Sequence, residues 1–208
     1  SRWYPGAGLY RNVHLVVTED AYVPTWGTHV TTPVVNEKYA KVVLNTKLTT
    51  AKGADRSAYR IVTEIKDPNG KVVAKEENKL SVFNECQFEQ EFAVATPALW
   101  SVENPFLYTA ESKIYAGNTL KDEYTTRFGI RTLEIIPEKG FFLNGKLTKF
   151  QGVCNHHDLG PLGAAVNDAA IRRQIRIMKD MGVNAIRTSH NMPAPELVAA
   201  CDEMGMML

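Results

Sequence analysis

The hydropathy period of this chain changes once, after Gly140, and that change limits what the chain can fold into. From about residue 36 to 135, apolar and polar residues alternate in short runs broken by turn signals, the pattern of antiparallel strands with one wet face. Val42, Leu44, Thr46 and Leu48 share one face of such a strand, as do Tyr59, Ile61, Thr63 and Ile65. Asp67-Pro68-Asn69-Gly70 supplies a turn, and Val72-Val73-Ala74 starts the hairpin partner. Further runs from Phe88 to Val94, Leu107 to Tyr115 and Glu123 to Ile130 bring the count to about seven strands.

Beyond Gly140 the alternation is of strand with helix. Leu147 to Val153 reads as a strand; Asn167 or Asp168 then caps a helix in which Ile171, Ile175, Met178 and Met181 recur at helical spacing, closed by Gly182. Asn184 to Arg187 is a second strand. Pro195 opens a second helix with Leu197, Val198, Cys201 and Met204 facing inward, closed by Gly205, before Met206-Met207-Leu208 begins a third strand. This order demands a parallel sheet, and two such units close nothing. The predicted fold is therefore mainly β: an immunoglobulin-like β-sandwich at residues 26–135, then at 136–208 the first βα units of either a barrel or a wound parallel sheet. Residues 1–25 belong to neither; the Val13 to Val17 run reads as a strand of a preceding domain, and Tyr22 to Thr32, with Pro24 and Gly27, as a connection.

Composition narrows the partner. Lys and Arg number 24 against 23 Asp and Glu, without blocks of like charge, so neither nucleic acid nor an anionic membrane is expected. No run approaches the roughly 18 apolar residues of a membrane helix. Cys86, Cys154 and Cys201 lie too far apart for a CxxC-type zinc site and read as three separate thiols. The chain has no initiator Met and stops at the start of a strand, so it reads as an interior piece whose parallel sheet continues elsewhere. Its open sheet edges would bury apolar surface by oligomerising or swapping, and a homo-oligomer is one expectation.

Four segments, in order, carry a resemblance: SRWYPGAGLYRNVHL at residues 1–15, PALWSVENPFLYTAESKIY at 97–115, RFGIRTLEI at 127–135, and FFLNGKLTKFQGVCNHHDLG at 141–160 with MKDMGVNAIRTSHNMPAPE at 178–196. The chain resembles family 2 glycoside hydrolases, where these are the end of a sugar-binding jelly roll, the second half of an immunoglobulin-like domain, its exit, and the start of a (β/α)8 barrel, so the resemblance implies that residues 136–208 are the first βα units of such a barrel. GVCNHHDLG and RTSHNMPAPE look closer to the β-galactosidases of that family than to its glucuronidases. The resemblance implies a retaining hydrolase of terminal β-linked galactosides; β-glucuronide hydrolysis and a non-catalytic carbohydrate- or protein-binding sandwich are the rival readings.

Both histidine motifs fall at C-terminal strand ends, the face that carries a barrel's active site. From residue types alone, these histidines could equally bond neighbouring backbone, or bind a metal together with Asp158. The resemblance assigns His156 and His190 to the sugar hydroxyls and Arg187 to a place beside the nucleophilic carboxylate. Asp158 and Asn191 would hold the loop or the ligand, and His157, at a position where family members vary between Glu and His, would either support its neighbours or contact the ligand. Acid/base and nucleophile are expected from later barrel strands, so no catalytic residue is assigned in this chain; any magnesium or sodium would find its acidic ligands beyond Leu208. Glu103 superficially resembles an acid/base signature but is read as lying in the sandwich. Glu196, Asp202 and Glu203 fall on the second helix, away from the catalytic mouth. Trp3, Tyr4, Trp26 and Trp100 raise sugar stacking, with Trp100 read instead as an apolar plug. The compartment, cytoplasmic or periplasmic, is left open.

Overall fold

The computed structural model describes residues 8–51, 59–80 and 85–208. Trp3 and Tyr4, raised above as stacking candidates, lie outside the described residues. Two compact units emerge, one formed by Val16–Leu99 and Phe106–Thr132, the other by the described residues through Leu15, Trp100–Pro105 and Leu133–Leu208.

The first unit consists of eight strands: β1 (Ala21–Tyr22), β2 (Thr28–Val35), β3 (Tyr39–Thr50), β4 (Tyr59–Lys66), β5 (Val72–Leu80), β6 (Glu85–Ala95), β7 (Tyr108–Ala116) and β8 (Thr119–Phe128). All pairings are antiparallel. One sheet has β3 between β6 on one side and β1 and β2 on the other; the second runs β5-β4-β7-β8. Period-two patterning drives this packing. Val42, Leu44, Thr46 and Leu48 are all fully buried on one face of β3, and Tyr59, Ile61, Thr63 and Ile65 on one face of β4. Each fully buried aliphatic side chain contributes about 1.5–3 kcal/mol relative to exposure. The Asp67 turn closes as expected, with the Gly70 N–H donating to Asp67 O at 2.9 Å and the Asp67 carboxylate accepting from the Asn69 and Lys71 amides.

The sandwich core is not apolar throughout. Two hydrophobic clusters, one around Leu44, Ile65 and Phe92 and one around Leu48, Ile61 and Ile114, are joined by a buried polar chain. Thr63 donates to Gln90 Oε1 at 2.7 Å, Ser112 donates to Thr63 at 2.9 Å, and Gln90 Nε2 donates to Asn78 Oδ1 at 2.8 Å.

Two expectations fail in this region. Val13 to Val17 forms no strand; Val13, Leu15 and Val17 are exposed, because apolar β-branched residues make a strand only when an edge accepts their backbone. Thr28 to Thr32 is not a connection but the start of β2, bonded to β3. The Pro24 and Gly27 turn is confined to a tight loop before it, where Gly27 N–H donates to Pro24 O at 2.7 Å. Pro33 sits where the β2–β3 register shifts, between Thr31 and Val34, as suits a residue without an amide donor.

The second unit opens with a small antiparallel sheet of β9 (Leu133–Ile136), β10 (Gly140–Leu143) and β11 (Lys146–Leu147). Leu147 therefore belongs to a hairpin closed by Asn144-Gly145, both at positive φ, and the first parallel strand, β12 (Gly152–Asn155), starts later than predicted. Then follow α1 (Asp168–Asp180), β13 (Ala185–Thr188) and α2 (Pro195–Met204). The Asn167 side chain accepts from the Ala170 amide and caps α1. β12 and β13 pair in parallel, and Met207 adds a parallel bridge to Ala185, the beginning of a third strand. Gly152 is required by this pairing, since a Cβ there would come within 2.4 Å of Ala185 O.

Ile171, Ile175, Met178, Ile186, Ala200, Cys201 and Met206 form the core of this unit. Met181 and Val198, predicted inward, are 71% and 41% exposed: Met181 is already the cap residue of α1, and Val198 lies at the rim of the apolar stripe. Trp100 is buried here, with its indole donating to Asp202 O at 2.8 Å. The Lys179 ammonium donates to Val102 O, Met204 O and Gly205 O at 3.0, 2.6 and 3.0 Å, neutralising the end of α2.

Candidate functional site

The parallel register decides which residues meet. Cys154 is opposite Arg187 and Asn155 opposite Thr188, so the chain leaves both strands at the same level. The Ser189 amide extends the ladder by one bond, donating to Asn155 O at 2.8 Å. His156 and His190 then emerge side by side. Their rings are 6.3 Å apart, centroid to centroid, and edge to face at 86°, and both side chains are exposed. The peptide bond between Ser189 and His190 is cis.

Strand alternation sorts the remaining groups. Ile186 points into the helices, whereas Cys154 and Arg187 occupy the opposite face. The Arg187 guanidinium donates to Ser189 Oγ at 3.4 Å and lies 3.8 Å from Cys154 Sγ, and the residue is exposed. Asn191 Nδ2 lies 3.2 Å from His157 Nδ1 and ties the two loops together. Asp158 is half-buried beside His157. All five candidates thus fall on the two loops or strand ends of one βαβ unit.

Beneath the loops, Tyr10, His157, Leu159, Asn191, Pro193 and Leu197 line a cavity of about 50 Å³. That is room for a few water molecules. On the open side of the loops, His156, His190 and Arg187 are exposed. Among the described residues, no three His, Cys, Asp or Glu side chains converge as metal ligands would, so His156, His190 and Asp158 are not arranged as a metal site.

Two of the other carboxylates have structural partners. Glu196, in the first turn of α2, accepts from Asn12 Nδ2 at 2.7 Å, and Glu203 pairs with Arg172 at 2.7 Å. Glu103 does not belong to the sandwich as read from the sequence; it groups with the second unit and lines a hollow with Gln151 and Asn184, next to the N-terminal ends of the parallel strands. Trp26 is 82% exposed in the first unit, and its amide donates to Tyr124 Oη. Sequence reasoning missed Ser189, whose burial (5% exposed) anchors the second loop, and Arg11 and Asn12, which reach that loop from far upstream. The only sequence signal for the latter pair was the short LYRN stretch.

A sandwich followed by parallel strands that gather polar side chains at their C-terminal ends is the plan of a barrel hydrolase with a β-sandwich scaffold. Residues 22–131 match the profile described as glycosyl hydrolases family 2, and residues 135–208 match its TIM barrel domain. The chain belongs to glycosyl hydrolase family 2, with an immunoglobulin-like sandwich and the start of a TIM barrel. It is similar to the beta-galactosidase BoGH2A of Bacteroides ovatus, 45% identical over all of this chain and 25% of the relative. A putative beta-glucuronidase of Formosa agariphila is 36% identical over all of this chain and 19% of its own length. A solved family 2 glycosyl hydrolase from Bacteroides cellulosilyticus superposes with a TM-score of 0.92 at 37% identity, over 99% of this chain and 28% of that one. The chain thus spans about a quarter of the length of the proteins it matches.

Proposed function

We propose that this chain supplies the scaffold sandwich and the first strands of the catalytic barrel to a retaining glycoside hydrolase that cleaves terminal β-linked galactosides. The observation that supports this is the His156–His190 pair, exposed edge to face at the ends of adjacent parallel strands. Imidazoles so placed offer directional hydrogen bonds to sugar hydroxyls, and bonds that strengthen as the pyranose ring flattens lower the barrier. Arg187, exposed at the end of β13, is suited to keep a carboxylate from a later strand ionised. Asn191 and Asp158 hold the two loops in register with the ligand.

Retention of configuration needs two carboxyl groups about 5–5.5 Å apart, one as acid/base and one as nucleophile. Glu196 and Glu203 are engaged elsewhere, so the 208-residue chain alone should turn over no substrate.

The test is hydrolysis of nitrophenyl β-galactoside by the purified chain and by a longer polypeptide carrying it. The expected result is activity only in the longer protein, with His190→Ala reducing kcat/KM by about 10- to 100-fold. Turnover by the chain alone would overturn the proposal. A second reading, β-glucuronide hydrolysis, is favoured by the similarity to the Formosa agariphila protein, and a substrate panel on the longer polypeptide separates the two. Submillimolar affinity of the chain alone for lactose would instead favour a binding module.

A further inference from the structure

We propose that Arg11 is a positioning residue for the His190 loop, a role that lies outside the barrel strands and that no histidine or carboxylate motif announces. Six residues, Ser189 to Ala194, join β13 to α2 without regular structure. At the near end the loop is held by Ser189, buried and bonded through its amide to Asn155 O. Toward the far end Met192 is 80% exposed, so its side chain adds little apolar hold.

Arg11 supplies the missing anchor. Its guanidinium donates to two successive carbonyls, Met192 O and Pro193 O, a match between a planar fork and two main-chain acceptors that a lysine cannot reproduce. The neighbouring Asn12 donates to Glu196 in the first turn of α2, which fixes the same end a second time. The Arg11 guanidinium also lies 5.4 Å from the centroid of the Tyr10 ring, which in turn lies 6.1 Å from the His157 ring. His190 and Asn191 are therefore suspended between two fixed points, Ser189 on one side and Met192–Pro193 on the other. A group that must meet a sugar hydroxyl within a fraction of an ångström needs such support, because a misplacement of about 1 Å can cost about 100-fold in rate.

The functional consequence rests on the reading of His190 as a sugar contact, but the ordering of the loop does not, and the two are measured separately. In the 208-residue chain, 15N relaxation should show the order parameters of Asn191 and Met192 falling from about 0.85 toward 0.6 on Arg11→Ala. Arg11→Lys should restore them only in part. Ile175 in α1 and Ile186 in β13 should be unchanged. Unaltered order at Asn191 and Met192 would overturn the proposal, and so would an equal loss at Ile175 and Ile186, which would make Arg11 a general fold residue.

The companion measurement follows the His190 ring signals during titration with methyl β-galactoside. If wild type responds, Arg11→Ala should weaken the response about tenfold, with partial rescue by Arg11→Lys; an undiminished response would overturn the positioning role. If wild type gives no response while the relaxation result stands, the sugar reading fails and the loop anchor survives.

Discussion

The indole N–H of Trp100 donates to the carbonyl oxygen of Asp202, 2.8 Å away and 102 residues later in the chain. This bond joins the Trp100–Pro105 loop to the end of α2, where Lys179 gathers three further carbonyls. The loop is thus part of the barrel unit's core, although sequence places it between two sandwich strands. Trp100→Ala should cost about 3–5 kcal/mol through lost burial. Trp100→Phe, which keeps most of the apolar surface and deletes the donor, should cost about 1–2 kcal/mol. Urea unfolding followed by signals from α1 and α2 checks both.

Two glycines that end helices should respond differently to alanine. Gly182 and Gly205 both have positive φ, +85° and +71°, but a Cβ at Gly182 meets open space while one at Gly205 would come within 2.3 Å of Val102 O. Gly182→Ala should cost about 1–2 kcal/mol, the conformational penalty alone. Gly205→Ala should cost distinctly more, because the Val102 backbone must move. Equal shifts in denaturant midpoint would contradict the close approach.

The polar chain in the sandwich core predicts opposite signs for two identical substitutions. Thr63→Val removes the acceptor of Ser112 and the donor to Gln90, both buried, and should destabilise by about 1–3 kcal/mol. Thr46, equally buried, has a hydroxyl with no hydrogen-bond partner among the described residues. Thr46→Val should be neutral or stabilising by up to about 1 kcal/mol. Thermal unfolding of the two variants decides it.

The thiols should separate by burial. Burial raises Cys201 from its ordinary 9.0 to about 12 and also raises Cys86, whereas Cys154 is exposed beside Arg187. At pH 8, iodoacetamide should modify Cys154 first and Cys201 only on unfolding. Because the folded-state value of Cys201 lies above the unfolded one, its contribution to stability is complete below about pH 9 and is lost as pH rises toward 12. Cys201→Ala should flatten the alkaline limb of a stability–pH curve over that range.

Much of this protein was legible in the sequence because its signals are local. The buried faces of β3 and β4, the Asp67 turn, the Asn167 cap and the Pro195 start each depend on residues a few positions apart. The histidine motifs were also visible, since strand ends place them once the parallel order is inferred.

What the sequence by itself determined was the class of each unit and the identity of its polar rim, for periodicity sets which face is buried. What only the tertiary structure decided was which distant residues complete each unit. Val13 to Val17 has strand composition and makes no strand, while Arg11 and Asn12 just before it anchor a loop about 180 residues away. Trp100 and Glu103, between sandwich strands in sequence, belong to the barrel unit. Hydropathy records how much a residue gains from leaving water but not which backbone carbonyl lies within 3 Å of its donor. Only the folded chain supplies that distance.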